Sequence, residues 1–208
     1  MLALIDYGMG NIRSVYNAFK LLDEDVQITN QQSEISEAEA IILPGVGAFS
    51  DGMKNLRELD LVDKITEEVI DKEKPYLGIC LGLEFLAEKS FEGGENEGFG
   101  WIKANVEKIQ PKDTTLKIPH MGWNDTKILV EKGLMNELID PTFYYLHSYY
   151  VNPEEEEEEF VTSVCNYGGI NITASFQKKN IFAVQFHPEK SQNIGIKLLK
   201  NFLEEIRK

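Results

Sequence analysis

The chain has 208 residues, of which 42% are apolar and 27% charged. These proportions are those of an ordinary globular protein, and no apolar run is long enough to span a bilayer. The formal net charge of −14 at pH 7 repels anionic surfaces, so we expect neither nucleic acid nor membrane as a partner. The length suits one buried core, which predicts a single domain over residues 1–208.

Short apolar runs alternate with amphipathic segments in the first part of the chain. This alternation predicts a mostly parallel sheet flanked by helices, with functional residues at the carboxyl ends of the strands. A helix-like stretch over 83–89 follows the fourth strand. The predicted strands cover 2–7, 26–29, 40–43 and 76–82, and the other predicted helices cover 11–22 and 61–72.

The second half carries strand-like runs joined by loops, which predicts a more antiparallel arrangement within the same α/β fold. A run of glutamates over 154–159 reads as a solvated loop, because adjacent carboxylates repel one another. The glycine-rich stretch 92–98 reads as a plain surface turn. The predicted strands cover 101–109, 116–118, 143–146, 160–165, 170–176 and 181–186, and a closing helix covers 193–207.

Cys80 lies at the centre of a Gly-x-Cys-x-Gly string between a strand-like and a helix-like segment. This pattern is typical of a nucleophile elbow, in which small neighbours at 78 and 82 permit a strained turn. The first N–H groups of the helix would favour the thiolate. The alternative is a small core residue, which is how we interpret Cys165, since it lacks flanking glycines.

His187 follows the last apolar strand and opens the string His-Pro-Glu. Glu189, two positions on, can orient the imidazole, so the segment offers a base and its orienting acid. A satisfied histidine at a strand end is the alternative. Because the elbow supplies a nucleophile at a second strand end, the combination indicates a Cys-His-acid triad.

The loop Pro44-Gly-Val-Gly can turn a backbone N–H toward a developing oxyanion, and the N–H of Leu81 can be a second donor. A simple tight turn is the alternative. His120 and His147 lack metal-ligand spacing to each other, so we expect neither zinc nor another cofactor.

In this order, these motifs resemble those of the class I, triad-type glutamine amidotransferases. The resemblance implies one flavodoxin-like domain. Further sequence motifs make the resemblance more specific, since they are similar to those of the glutaminase subunits of imidazole glycerol phosphate synthases. These motifs extend over nearly the whole chain. They lie at residues 6–11, 44–49, 100–101, 119–124, 146–149 and 187–191.

The resemblance implies that Cys80 attacks the side-chain amide of L-glutamine. His187 would protonate the departing ammonia and then activate water, and Glu189 would orient His187. The implied oxyanion donors are the N–H groups of Val46, Gly47 and Leu81, and the implied substrate-binding residues are Gly45, Glu84, Ser148 and Tyr149.

The resemblance also implies a heterodimer with a (β/α)8-barrel synthase subunit, which uses the ammonia to form imidazole glycerol phosphate in histidine biosynthesis. A cytoplasmic location is expected, because the amino-terminal segment lacks a basic signal region and two cysteines do not suggest a disulfide framework. The implied docking residues are His120, Met121, Trp123, Asn124 and Tyr144.

Glu84 departs from the resemblance, because these elbows usually continue to a glutamine at that position. We interpret the change as a tuned subgroup, a weakened glutamine site or a deliberately made variant, and we expect reduced but not abolished glutaminase efficiency. Two other functions stay open. One is a paralogue that feeds ammonia to an amidotransferase acting on surface sugars, and the other is a glutamine-binding subunit with impaired catalysis.

Overall fold

The computed structural model describes residues 1–208 as thirteen strands and six α-helices. Strands and helices alternate up to Cys80, and strands dominate from there to the closing helix. The elements are β1 (Leu2–Ile5), α1 (Ile12–Lys20), β2 (Val26–Thr29), α2 (Gln32–Glu37), β3 (Ala40–Gly45), α3 (Phe49–Glu58), α4 (Leu61–Thr66), β4 (Tyr76–Cys80), α5 (Leu81–Glu84), β5 (Ala87–Ser90), β6 (Asn96–Glu97), β7 (Ile102–Lys108), β8 (His120–Ile128), β9 (Thr142–His147), β10 (Tyr149–Pro153), β11 (Val161–Tyr167), β12 (Ile170–Lys178), β13 (Ile181–Val184) and α6 (Gln192–Ile206).

The central sheet has nine strands in the order β2-β1-β3-β4-β13-β12-β11-β8-β9. Neighbours from β2 to β13 run parallel, and those from β13 to β9 run antiparallel. The predicted α/β fold, with a parallel first part and a more antiparallel second half, is therefore confirmed. A smaller sheet has the order β10-β7-β5-β6.

The parallel strands β1, β3, β4 and β13 are buried on both faces, because their alternate side chains enter two separate apolar clusters. In β1, Ala3 and Ile5 pack into one cluster, and Leu2 and Leu4 pack into the other. The first cluster includes residues of α3, α4 and the smaller sheet, and the second includes residues of α1 and α6. None of the six α-helices combines the length and the apolar character that crossing a bilayer requires.

The helix predicted over 83–89 was wrong. The helix α5 ends after one turn, at Glu84, and Ala87 begins β5, which pairs with β7. The carbonyl of Leu86 accepts the N–H groups of Trp101 and Ile102, so contacts from a distant segment replace the next helical turn. The strand predicted over 116–118 was also wrong, because the chain bends there and the strand β8 begins at His120.

The glutamate run was predicted as a wholly solvated loop, and one residue contradicts this. Glu157 is buried, and its carboxylate accepts hydrogen bonds from Lys178 Nζ at 2.7 and 2.9 Å. The segment forms 3₁₀ turns that cover the end of the smaller sheet. A single paired carboxylate thus enters the fold, while its neighbours Glu155, Glu156, Glu158 and Glu159 stay exposed.

Candidate active site

Cys80 ends β4 at the carboxyl edge of the sheet and has φ 56° and ψ −105°. A positive φ strains the backbone of any residue that has a side chain. Such strain is found mainly at functional sites. The helix α5 begins at the next residue, so the chain makes the strand-to-helix turn that the elbow motif predicts. Cys80 lines a cavity of about 240 Å³.

Both elbow glycines are required by close backbone approach. A Cβ on Gly82 would overlap the carbonyl oxygen of Leu43 in β3, and a Cβ on Gly78 would overlap the carbonyl of Gly82. The hydroxyl of Tyr76 donates to Gly82 O at 2.8 Å, which fixes the turn against the strand. The tight packing holds Cys80 in its strained conformation.

Replacing Gly82 by Ala should destabilise the protein by about 3 kcal/mol, because the carbonyl of a central strand cannot move aside for the new methyl group. Urea unfolding measures the loss. Gly93→Ala is the control without overlap, since a Cβ there would face open space, and the strain of its positive φ should cost only about 1 kcal/mol. Equal losses in the two variants would contradict the overlap argument.

The sulfur of Cys80 is almost completely buried and lies among carboxyl groups. Burial, Glu84 and Glu189 together raise the pKa of the thiol well above its ordinary value, and the N–H of Leu81 and the amide of Gln185 oppose them only in part. The helix start favours the thiolate, but α5 is a single turn with a weak dipole, so burial and the nearby carboxyl groups outweigh it. The nucleophile must be formed by a base.

His187 and Glu189 form the pair that the sequence predicts. Nδ1 of His187 donates to Glu189 Oε1 at 2.9 Å, and Asn11 Nδ2 donates to the same oxygen at 3.4 Å. Because Nδ1 carries the proton, Nε2 is the basic nitrogen, and this buried atom has no hydrogen-bond partner. The backbone of His187 is fixed at both ends, since its N–H donates to Tyr144 O and its carbonyl accepts the hydroxyl of Ser191.

Neighbouring strands bring the sulfur and the imidazole to the same edge of the sheet. Ile79 of β4 pairs with Val184 of β13 in parallel register, and Cys80 follows one residue later and His187 three residues later. No hydrogen bond joins Nε2 to Sγ. Instead, the Sγ–H of Cys80 donates to Leu146 O at 3.9 Å, so the proton must turn toward the imidazole before Nε2 can take it.

Val46 and Gly47 line the cavity directly after β3. Their N–H groups make no hydrogen bond within the protein, so they are free to receive an oxyanion. Gly45 stands opposite Cys80 in the parallel register but does not line the cavity. A Cβ on Gly45 would overlap the Tyr7 hydroxyl and the Leu81 side chain, so this glycine lets β3 pass close to the elbow.

Glu84, Ser148 and Tyr149 line the same cavity. The carboxyl of Glu84 is 4% exposed and accepts Gln185 Nε2 at 2.9 Å. The imidazole of His147 also lines the cavity, and burial lowers its pKa to about 3, so it stays neutral. No lysine or arginine lines the cavity.

Two residues of the site were missed from the sequence. Glu92, in the stretch interpreted as a surface turn, lines the cavity, and its Oε2 accepts the N–H of Phe49 at the start of α3 at 2.7 Å. Gln185 is fully buried, and its Nε2 lies 3.7 Å from Cys80 Sγ. The spacing of two from His187 could have indicated Gln185, because residues i and i+2 share one face of an extended chain.

The predicted docking residues separate into an exposed group and a buried one. Met121 and Trp123 on β8 are 66% and 48% exposed, and the indole lies edge-on to Tyr144 of β9. Asn124 is partly buried, and His120 lies beneath the surface, stacked on aromatic rings and 3.0 Å from His147 Nε2. A direct docking contact of His120 is therefore excluded, since its ring is covered.

Residues 3–206 match the glutamine amidotransferase class-I family. The chain is 45% identical over 204 residues to imidazole glycerol phosphate synthase subunit HisH 1 of Campylobacter jejuni, covering 98% of this chain and 99% of that protein. It is 47% identical over 208 residues to the HisH subunit of Caldanaerobacter subterraneus, covering 100% and 99%.

Solved structures show the same fold at low identity. A crystal structure titled glutamine amidotransferase superposes with a TM-score of 0.76 at 19% identity, covering 99% of each chain. The structure of PurLQS from Thermotoga maritima gives a TM-score of 0.76 at 18% identity, covering 99% of this chain and 98% of that one. Together with the full-length relatives, these matches show that the chain belongs to the class I glutamine amidotransferase family and, within it, to the HisH subunits of imidazole glycerol phosphate synthase.

Proposed function

We propose that this protein hydrolyses L-glutamine to glutamate and ammonia with a Cys80-His187-Glu189 triad. The ammonia passes to a (β/α)8-barrel synthase subunit, which forms imidazole glycerol phosphate in histidine biosynthesis. One observation carries the proposal: the strained Cys80 ends β4, and the His187–Glu189 pair lies just beyond the end of the adjacent parallel strand β13, beside a loop with free N–H groups.

The resting thiol must first lose its proton. His187 Nε2 takes the proton from Sγ, and the negative charge of Glu189 stabilises the imidazolium that forms. The thiolate then attacks the amide carbon of glutamine, and the carbonyl oxygen becomes an oxyanion. We assign the binding of that oxyanion to the N–H groups of Val46, Gly47 and Leu81, three residues that line the cavity.

The tetrahedral intermediate collapses when the C–N bond breaks. His187 gives its proton to the departing amine, ammonia leaves, and a thioester remains on Cys80. His187 then takes a proton from water, whose oxygen attacks the thioester carbon. Cleavage of the C–S bond releases glutamate, and the sulfur regains the proton from the imidazolium.

The charge of the cavity suits the substrate. Glu92 presents a carboxylate to a cavity that no lysine or arginine lines, which favours the α-ammonium group of an amino acid. Ser148 and Tyr149 also line the cavity. These groups support glutamine as the ligand. The carboxyl of Glu84, which is hydrogen-bonded to Gln185, also lines the cavity.

The docking face is proposed on the edge of the sheet next to the site. Met121 and Trp123 expose apolar side chains on β8, and Tyr144 lies beside them on β9. Aromatic and methionine side chains are enriched at protein interfaces. A barrel subunit seated here would form a heterodimer, and we place this biosynthetic complex in the cytoplasm.

The deciding experiment is a glutaminase assay of the full chain with and without a purified barrel synthase. We expect ammonia release from glutamine that increases with the partner, and imidazole glycerol phosphate formed from glutamine. Hydrolysis of glutamine without formation of imidazole glycerol phosphate would indicate that the ammonia is instead used by an amidotransferase acting on surface sugars. If no hydrolysis occurs and a glutamine-like electrophile fails to label Cys80 in the complex, the chain is a non-catalytic glutamine-binding subunit.

A further inference from the structure

The carboxyl of Glu84 is buried in the wall of the cavity, on the helical turn that begins at Cys80. It accepts one hydrogen bond, from Gln185 Nε2 at 2.9 Å, and makes no ion pair. The same amide nitrogen lies 3.7 Å from Cys80 Sγ. Glu84 therefore shares a single neutral donor with the nucleophile.

No cation near Glu84 offsets a negative charge. Several strands pack against α5. The uncharged polar groups that they and the residue after β13 carry near Glu84 are the Cys80 thiol, the Tyr76 and Tyr149 hydroxyls and the Gln185 amide. Beyond these strands, the Tyr7 hydroxyl, the carboxylate of Glu92 and the neutral imidazole of His147 complete the surroundings.

Strand β5 also packs against α5, and it carries two charged side chains. Glu88 and Lys89 are exposed, and the ammonium of Lys89 binds Glu95 at 2.7 Å. A buried carboxylate with one neutral donor and a second carboxylate in its cavity is strongly disfavoured. Protonation removes this cost.

We propose that Glu84 binds glutamine as a neutral carboxylic acid, in which one oxygen accepts the N–H of Gln185 and the O–H donates to an oxygen of the substrate. This inference rests on the proposed function of the site. A protonated carboxyl offers both a donor and an acceptor, as a primary amide does, whereas a carboxylate only accepts. Glu84 thus reproduces an amide without placing a charge beside the sulfur.

The electrostatics give the proposal a pH signature. Burial, followed by the charge of Glu92, raises the pKa of Glu84 to about 8. Below that pH the group is neutral and the site accepts glutamine. As the pH rises through the pKa, the new charge repels the carboxylate of the substrate and further disfavours the thiolate. Glutamine use should therefore fall on the alkaline side, and the expected loss of efficiency at neutral pH should be small.

The test compares kcat/KM for glutamine in the assembled complex for the wild type, Glu84→Gln and Glu88→Gln, from about pH 6 to about pH 10. The ratio of Glu84→Gln to wild type should stay within about threefold near pH 6.5 and rise to about tenfold or more near pH 9.5. Glu88→Gln is the matched control, since its carboxyl is exposed on the next strand, and it should follow the wild type. A ratio independent of pH would overturn the proposal.

Infrared titration of the full chain gives a readout that needs no turnover. The carboxylic acid C=O band should be present in the wild type at neutral pH, fade with a midpoint near the pKa of about 8 and be absent from Glu84→Gln. Absence of this band from the wild type at neutral pH would overturn the proposal. If the band titrates as expected but glutamine is not hydrolysed, the proposed function fails while the neutral state of Glu84 stands.

Discussion

Replacing Cys80 by Ala should reduce ammonia release from glutamine by about 10⁴-fold or more, because no other group in the cavity can form the thioester. The methyl side chain fits where the sulfur was, so the strained turn, the sheet and the docking face should persist. The synthase in the assembled complex should therefore still make its product from free ammonium. Parallel assays with glutamine and with an ammonium salt measure the two activities.

Cys165→Ala is the matched control for this variant. Cys165 is the other free cysteine, buried in β11 within the apolar cluster beneath α6, and it should retain glutamine hydrolysis close to the wild type. Loss of both activities in Cys80→Ala would contradict the separation of ammonia production from ammonia use. Substantial hydrolysis in Cys80→Ala would exclude a covalent mechanism through this residue.

The parts of the site that sequence could predict are those fixed by local geometry. The elbow needs small residues at 78 and 82 because the turn brings the chain onto its own backbone and onto β3. His187 follows an apolar strand, and the acid two positions later reaches its Nδ1. Both features depend on a few adjacent residues, so both can be recognised as short sequence motifs.

Other parts depend on segments that are distant in sequence. Glu92 reaches the site only because α3 starts beside it and its N–H at Phe49 needs an acceptor. The aromatic rings of Tyr145 and Tyr167 cover His120, although it lies in a motif with exposed neighbours. No local pattern distinguishes these outcomes, since the covering residues come from other strands.

The state of the sulfur shows the same limit for electrostatics. The helix start that the sequence predicts next to Cys80 lowers the pKa of the thiol when it is considered alone. In the fold, α5 is one turn long, and the carboxyl groups of Glu84 and Glu189 approach from different elements. Burial and neighbouring charges together decide whether the pKa of the thiol rises or falls. Both depend on how the site is packed.

His187→Asn should lower glutamine hydrolysis by about 10³-fold, because asparagine can still donate to Glu189 but has no atom at the position of Nε2. The resting thiol makes this base essential, since burial above all holds the pKa of Cys80 high. Asn11 also donates to Glu189, so the acid stays satisfied in the variant and the fold should be retained. Steady-state assays of the complex measure the loss.

The rate at which a glutamine-like electrophile labels Cys80 separates the chemical role of His187 from a structural one. If Nε2 removes the thiol proton, labelling should slow in His187→Asn by a factor similar to that for hydrolysis, while urea unfolding changes little. In Glu189→Gln the imidazole keeps a partner but loses the charge that stabilises its protonated form, so a smaller loss than in His187→Asn is expected. Labelling at the wild-type rate in His187→Asn would mean that another group activates the sulfur.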